Sequence, residues 1–173
     1  MKDILGPYET AITNAEALLH EHGIDSADLV QCDTICYRVE TNERYEEVKQ
    51  QLARVAILLN EVEVNGRLIA AFALEEPLSA GAQDTISYIE LPQPKPGRTY
   101  VEGIDHVQFV TRLPLSYFHQ KYQNVTFEEK GLVNRLNPLL EIESDDIAVK
   151  FHDKHMGAVT ELEERLDLHA SNS

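Results

Sequence analysis

The feature that most constrains the fold is a series of predicted elements that occurs twice along the chain. Residues 29–39 alternate as a β-strand does, and they precede a predicted helix and three further strands. Residues 104–111 begin a second series of the same order. The two opening strands share a motif 72 positions apart, Asp33-Thr34-Ile35 in the first and Asp105-His106-Val107 in the second. This repetition predicts two βαβββ modules in one α+β chain.

The first module is predicted to span residues 29–91. Its helix begins at Thr41 or Asn42, either of which is a favourable N-cap, and extends to Asn60. The dipeptide Asn65-Gly66 then predicts a tight hairpin between two strands. The strands after the helix are predicted at residues 62–64, 67–74 and 85–91, with an irregular connection at 77–84.

The second module is predicted to span residues 104–152, after a proline-rich connector at 92–103. Proline lacks the amide hydrogen that a sheet needs, so the connector should not extend the sheet. The module's helix is predicted at 114–122 and its weaker strands at 125–128, 139–143 and 147–152, while helices at 8–22 and 154–168 flank the two modules. We therefore expect a single domain, residues 1–173, in which the modules form a curved mixed sheet around a cleft.

The composition excludes several kinds of partner. The chain has 30 Asp and Glu against 15 Lys and Arg, a formal net charge of −15, so a nucleic acid would be repelled. No apolar run approaches the ~20 residues that a membrane span needs. Cys32 and Cys36 would lie about 13 Å apart in a strand, too far for a disulfide. Thiols that stay reduced favour a cytoplasmic location.

Two polar side chains stand where strand periodicity favours apolar residues. Glu90 shares a side of its strand with Tyr88, and His106 shares a side with Ile104 and Gln108. A buried carboxylate is costly unless it is paired or bound to a metal, so these positions indicate a site. A Glu that ends a strand in solvent and a His that bonds a backbone carbonyl would explain the same pattern.

Two further candidates come from the first and last strands. Alternation places Cys32, Thr34, Cys36 and Arg38 on one face, where Arg38 can pair with an internal carboxylate or bind an anionic substrate. His152 ends the last predicted strand, whereas His155 is assigned to the final helix.

Several short motifs, taken together, resemble the YecM family. They follow one another in the family's order over residues 32–152. The motifs are Asp33-Thr34-Ile35-Cys36-Tyr37-Arg38-Val39, Asn65-Gly66-Arg67-Leu68-Ile69, Ile89-Glu90-Leu91-Pro92, Gly103-Ile104-Asp105-His106-Val107, Leu136-Asn137-Pro138 and Val149-Lys150-Phe151-His152. The family is similar in fold to the vicinal oxygen chelate superfamily, which includes glyoxalase I and extradiol dioxygenases. The resemblance implies paired βαβββ modules around a cleft.

The resemblance also implies a metal site, because the first and last strands of each module in that superfamily tend to supply His and Glu ligands. Carried over to this sequence, it points to Glu90 and His106 as metal ligands and to His152 as a third. Thr34 stands where the family pattern has His, and its hydroxyl is a poor ligand. Two or three ligands with added water would hold Zn²⁺, Mn²⁺, Ni²⁺ or Fe²⁺ weakly.

Three hypotheses on function follow. In the first, the protein is an isomerase, lyase or dioxygenase whose metal binds vicinal oxygens of a small molecule, with Arg38 and Gln108 as substrate-binding residues. In the second, the site has lost its metal, as Thr34 suggests, and the cleft binds a small ligand without catalysis. In the third, the cleft is vestigial and the acidic surface serves protein partners. No general base is identified, and we expect a monomer or a homodimer.

Overall fold

A computed structural model of the chain describes residues 1–80 and 84–171. Its strands are β1 (Leu29–Arg38), β2 (Ala56–Val64), β3 (Arg67–Ala80), β4 (Asp84–Pro92), β5 (Gly103–Thr111), β6 (Leu140–Glu143) and β7 (Ala148–His152). Its α-helices are α1 (Lys2–Leu5), α2 (Tyr8–Glu21), α3 (Asn42–Leu52), α4 (Leu115–Lys121) and α5 (Met156–Ser171). None of these helices is long and apolar enough to cross a membrane.

The strand order of the sheet, β2-β3-β4-β1-β5-β7-β6, reflects the two modules. The first module contributes the four strands from β2 to β1, and the second contributes the other three. Within each module the first strand is parallel to the last, β1 to β4 and β5 to β7. The two first strands meet as antiparallel neighbours. The predicted α+β fold of paired modules in a mixed sheet is therefore confirmed.

The helix of the first module is shorter than predicted. It begins after Thr41, whose hydroxyl accepts a hydrogen bond from the Arg44 backbone N–H, but it ends at Leu52 and not at Asn60. The chain from Ala56 onward forms β2, in antiparallel register with β3. The apolar residues of this segment are spaced in a way that fits a helix as well as a strand. Pairing with β3 selects the strand, because it provides hydrogen-bond partners for the backbone N–H and C=O groups.

The hairpin predicted at Asn65-Gly66 joins β2 to β3. Asn65 and Gly66 have φ angles of 53° and 77°. A two-residue turn of this kind needs positive φ at both positions, which Asn and Gly adopt at the least cost.

Two other segments differ from their predictions. The connection expected at 77–84 is largely strand, because β3 continues to Ala80 and β4 begins at Asp84; residues 81–83 lie outside the described part of the chain. The strand expected at 125–128 is reduced to a single β-bridge between Glu128 and Glu141. Only one residue of that segment pairs with β6, so the second module adds fewer strands to the sheet than the first.

One face of the sheet packs against α2, α3 and α4 and forms the hydrophobic core. The fully buried side chains there include Ile35, Phe72, Ile89, Phe118 and Phe151.

The opposite face carries Thr34, Cys36, Glu90, His106 and Gln108, and we call it the site face. Helix α5 is tied to one end of this face, where Asn60 of β2 donates a hydrogen bond of 2.8 Å to Glu163.

Candidate functional site

A β-bulge in the first strand of each module coincides with the repeated motif. In β1, the residues on either side of Asp33 lie opposite successive residues of β5, so Asp33 is an extra residue. In β5, the residues on either side of Asp105 lie opposite successive residues of β1, so Asp105 is the extra residue there. The motif found in the sequence therefore marks the same backbone irregularity in both modules.

The bulges correct two assignments that were made from strict alternation. An extra residue reverses the facing of the side chains that precede and follow it. Cys32 therefore belongs to the hydrophobic core and does not share a face with Thr34 and Cys36. Ile104 likewise packs against the core and does not share the face of His106.

Asp105 orients the imidazole of His106. Asp105 Oδ2 lies 2.9 Å from His106 Nδ1, and Asp105 Oδ1 lies 2.6 Å from Arg38 Nη2. The Arg38 guanidinium stacks on the Tyr100 ring at 4.5 Å. A carboxylate at Nδ1 leaves Nε2 as the atom of His106 that faces the site. Arg38 thus pairs with an internal carboxylate, one of the two roles considered for it, and its binding of substrate stays a prediction.

Gln108 joins Glu90 to His106. Gln108 Nε2 donates a hydrogen bond of 2.6 Å to Glu90 Oε2 and lies 3.3 Å from His106 Nε2. Glu90 Oε2 and His106 Nε2 are 3.8 Å apart. Cys36 of β1 lies between the two, since it is opposite Glu90 on β4 and opposite His106 on β5. Two of the three predicted metal ligands are thus brought together, and the predicted substrate-binding residue Gln108 contacts both.

Burial and neighbouring charges act in opposite directions on this group. Burial opposes the ionisation of Glu90, but His106 and Lys150 lower the pKa of Glu90 to about 2. Burial also opposes the imidazolium of His106, yet the hydrogen bond to the Asp105 carboxylate helps to raise the pKa of His106 well above its usual value. Burial raises the pKa of the Cys36 thiol. Glu90 is therefore an anion beside an imidazole that retains its proton at neutral pH.

His152 lies at a different place on the site face. It is opposite Val110 in the β5–β7 register, four residues along β5 from His106. Its Nδ1 is 2.8 Å from Asn137 Oδ1, and its buried Nε2 has no hydrogen-bond partner among the described residues. Burial lowers the pKa of His152 to about 4, so the ring is neutral at pH 7. The third predicted ligand therefore stands apart from the other two.

The strand registers also relate the two modules residue by residue. On the last strand of the first module, Glu90 lies two residues beyond the neighbour of Thr34. On the last strand of the second module, Lys150 lies two residues beyond the neighbour of His106. Lys150 thus corresponds to Glu90, just as His106 corresponds to Thr34. The sequence analysis named His152 as the candidate on this strand and missed Lys150, which lies two residues before it on the same face of β7.

A cavity of about 290 Å³ opens on the site face. Glu90, Gln108, Lys150 and His152 line it from the sheet, together with the apolar side chains of β2 and β3. Residues of α5 and of the segment 134–139 complete its wall, and these are Met156, Val159, Glu163, Asn134, Asn137 and Leu139. The candidate ligands and a space for a small molecule are therefore adjacent.

The site face includes potential ligands of a divalent metal ion. Among the described residues, Cys36, Asp105 and His106 form a group whose potential ligand atoms all lie within 4.8 Å of one another. Glu90 adds a carboxylate oxygen 3.8 Å from His106 Nε2. Thiolate, imidazole and carboxylate are the ligand types of Zn²⁺ and related ions. In the corresponding positions of the other module, Thr34 stands in place of His106 and Lys150 in place of Glu90. The site therefore has fewer metal ligands than two equivalent modules could supply.

Several solved structures share this fold. The structural-genomics protein EC4020 is 24% identical with a TM-score of 0.74, over 94% of this chain and 92% of its own. Streptomyces coelicolor methylmalonyl-CoA epimerase, solved with 2-nitronate-propionyl-CoA, is 15% identical with a TM-score of 0.50, over 72% of this chain and 96% of its own. A hypothetical protein from Bacillus halodurans is 14% identical with the same score, over 72% and 94%. These likenesses establish a fold of the vicinal oxygen chelate type.

Within that class of fold, the sequence identifies the family. Residues 1–163 match the family described as YecM protein. The chain therefore belongs to the YecM family, which confirms the resemblance of its motifs. No curated protein matches the chain significantly.

Proposed function

We propose that the site face holds a divalent metal ion and that the protein is an enzyme acting on a small oxygenated molecule in the adjacent cavity. The observation that supports this most is the separation of 3.8 Å between Glu90 Oε2 and His106 Nε2, with Asp105 at the other imidazole nitrogen. Glu90 and His106 are the proposed ligands, with the Cys36 thiol between them. When bound, a divalent ion supplies Lewis-acid stabilisation of negative charge on a substrate oxygen.

The side chains around the pair have distinct tasks in this proposal. Asp105 fixes the tautomer and the direction of the His106 ring, and Arg38 holds Asp105 in place. His106 must give up a proton before Nε2 can act as a ligand, so binding of the metal releases protons. Gln108, which contacts Glu90 and borders the cavity, is proposed to hydrogen-bond the substrate. The reaction class remains isomerase, lyase or dioxygenase.

A second candidate is a protein that binds a small ligand without a metal and without catalysis. Gln108 favours it, because its amide donates to Glu90 Oε2 at 2.6 Å and so satisfies the carboxylate with no cation. Lys150 favours it too, because an ammonium stands where the first module has Glu90. A positive charge at that position can take the place of a metal ion in attracting an oxygen anion.

Metal content separates the two candidates. Elemental analysis should be made on the purified, tag-free protein as isolated and after incubation with Zn²⁺, Mn²⁺, Ni²⁺ and Fe²⁺. The variants are His106→Ala and Glu90→Gln, with His119→Ala as the matched control because His119 lies on α4 and pairs with Glu129. The metal proposal expects near-stoichiometric metal that is lost in both site variants and kept in His119→Ala.

Two outcomes of the elemental analysis would contradict the metal proposal. Metal at background level in every sample, or equal metal in all variants, would exclude the proposed ligands and leave the second candidate. If metal is found, the loaded protein should be screened against vicinal diols, hydroxyketones and catechols.

A further inference from the structure

Lys150 is a cation of the cavity that forms no ion pair with the described residues, although its charge lowers the pKa of Glu90. It is half-buried and lines the cavity, and among residues 1–80 and 84–171 none forms an ion pair or a hydrogen bond with its ammonium group. Glu141 is opposite Lys150 in the β6–β7 register but forms no ion pair with it. The cavity's own carboxylates are engaged elsewhere, Glu90 with Gln108 and Glu163 with Asn60. An ammonium in this situation favours an anion from solution.

His152 contributes an acceptor that lacks a donor. The carbonyl oxygen of Asn137 can only accept, so His152 Nδ1 carries the hydrogen and Nε2 presents a lone pair. His152 is 3% exposed, and its Nε2 is buried without a hydrogen-bond partner among the described residues. A buried acceptor that is left unsatisfied is unfavourable, and a hydroxyl group of a ligand would satisfy it.

Lys150 and His152 act on the same space. They alternate on β7, so their side chains leave the same face of the sheet about 7 Å apart along the strand. Both line the cavity, whose other walls include the apolar side chains of Val62, Ile69 and Val159. Lys150 and His152 thus place a cation and an acceptor beside an apolar surface of the cavity.

We infer that the cavity recognises a small hydroxycarboxylate with an apolar substituent. Its carboxylate pairs with the Lys150 ammonium, its hydroxyl donates to His152 Nε2, and its substituent packs against the apolar wall. This assignment rests on the proposed function in one respect, namely that the cavity is the substrate site. It gives His152 a role in binding the substrate in place of the metal role predicted for it from the sequence.

Arg67 is the other cation of the cavity and the competing anchor for a carboxylate. Its Nη1 already donates to the Gln93 carbonyl oxygen at 3.1 Å, which ties the guanidinium to the end of β4. The experiment must therefore distinguish binding of the ligand carboxylate by Lys150 from binding by Arg67.

The test is calorimetric titration with three matched probes, on protein with and without EDTA treatment. Mandelate has the carboxylate, the hydroxyl and an apolar ring; phenylacetate lacks the hydroxyl, and mandelamide lacks the charge. We expect mandelate to bind about tenfold more tightly than either of the others, which is the effect of one hydrogen bond or one ion pair.

Variants of Lys150 and His152 test which protein side chain binds the carboxylate and which binds the hydroxyl of mandelate. Lys150→Met should weaken mandelate binding about tenfold and remove its advantage over mandelamide. His152→Asn, which keeps a donor for Asn137, should remove the advantage of mandelate over phenylacetate. Lys154→Met is the control, since Lys154 pairs with Asp153 outside the cavity, and it should leave all three affinities unchanged. Circular dichroism and Tm establish that each variant is folded.

Several results would overturn the inference. These are absence of mandelate binding to the parent protein, an unchanged affinity in folded Lys150→Met, or loss of binding in Arg67→Met and not in Lys150→Met. Elemental analysis of the same samples separates this inference from the proposed function. Discrimination among the probes by protein that also binds none of the added metal ions would sink the metal proposal alone. Bound metal without dependence of probe binding on Lys150 and His152 would sink this inference alone.

Discussion

The carboxylate of Asp33 accepts a hydrogen bond of 3.0 Å from the backbone N–H of Met156, 123 residues away in the chain. This bond joins the bulge of β1 to the first turn of α5, the helix that borders the cavity. Asp33 also accepts from the Thr34 hydroxyl at 3.0 Å. The first module therefore uses its bulge aspartate to dock a helix, whereas the second uses Asp105 to orient a histidine.

Asp33→Asn is expected to stabilise the protein at neutral pH. Burial raises the pKa of Asp33 to about 6, although the bonds from Met156 and Thr34 oppose the shift. Because the folded-state pKa lies above the unfolded value, the contribution of Asp33 to the free energy of unfolding is fully present below about pH 4. That contribution is lost as pH rises through 6. The amide keeps an acceptor oxygen and carries no charge, so its advantage should grow over that window to about 1–3 kcal/mol at pH 8.

Urea denaturation of both proteins at pH 4.5, 6 and 8 measures this difference. Asp145→Asn, at an exposed position between β6 and β7, is the control and should show no comparable growth with pH. An Asp33→Asn variant that is equally destabilised at all three values would mean that the Asp33 charge is favourable in the folded protein.

Asp105→Asn is expected to weaken metal binding without unfolding the protein. The change removes the charge that holds His106 Nδ1 and Arg38 while keeping the size of the side chain. Loss of such an orienting carboxylate costs about 10–100-fold in metal affinity. Competition titration with a chelating dye provides the affinity.

Glu102→Gln provides the control, because Glu102 is a carboxylate of the same region that pairs with Arg44 and Tyr37 and lies outside the metal group. It should bind metal as the parent does. Equal affinities for the parent and Asp105→Asn would show that Asp105 does not act through His106.

The parts of the fold that depend on local sequence could be predicted. The dipeptide Asn65-Gly66 forms the turn that its residue types favour. The proline-rich connector predicted at 92–103 lies between β4 and β5, although Pro92 and Gly103 at its two ends belong to those strands. The boundary between α3 and β2 could not, because the apolar run that begins near Ala56 fits both periods and only its pairing with β3 selects the strand. Strand order, which sets such pairings, is a property of the whole chain.

The site was predictable in the same partial way. Glu90 and His106 stand out because each is polar within an apolar strand, and the structure brings them together. The part played by Cys36 follows from β1 lying between β4 and β5, which no local pattern encodes. Lys150 was missed because a lysine in a strand is ordinarily solvated, and only the register relates it to Glu90. The bulges were missed because strict alternation assumes that every residue of a strand has one partner, whereas a bulge adds a residue without one.

Gly131→Ala is expected to disturb the wall of the cavity. A Cβ at Gly131 would meet the Leu139 side chain and would lie 2.9 Å from the Leu139 carbonyl oxygen, so the chain there must shift. Leu139 lines the cavity, and the same segment carries Asn137, which orients His152. We expect a loss of about 1–3 kcal/mol in the free energy of unfolding and weaker binding of mandelate.

The neighbouring variant Leu132→Ala controls for a change at an exposed position of the same turn, since Leu132 is 38% exposed. Urea denaturation and calorimetry should both separate the two variants. Unchanged stability and binding in Gly131→Ala would mean that this segment yields easily and does not shape the cavity.

Phe118→Ala is expected to destabilise the whole chain while leaving the site face able to bind. Phe118 is fully buried, and its ring centroid lies 4.9 Å from that of Tyr122 and 5.1 Å from that of Phe151. Removal of a buried aromatic ring costs about 3–5 kcal/mol. The cluster lies on the core face, on the side of the sheet opposite the site, so metal content per folded molecule should not change.

The same variant tests whether the two modules form a single domain. β1 and β5 pair along most of their length, so loss of packing in the second module should lower the protection of the first as well. Hydrogen exchange should then show amides of β4 and of β7 losing protection together, whereas the exposed control Tyr117→Ala should change neither. Protection lost in β7 alone would mean that the modules unfold separately and that residues 1–173 contain two cooperative units.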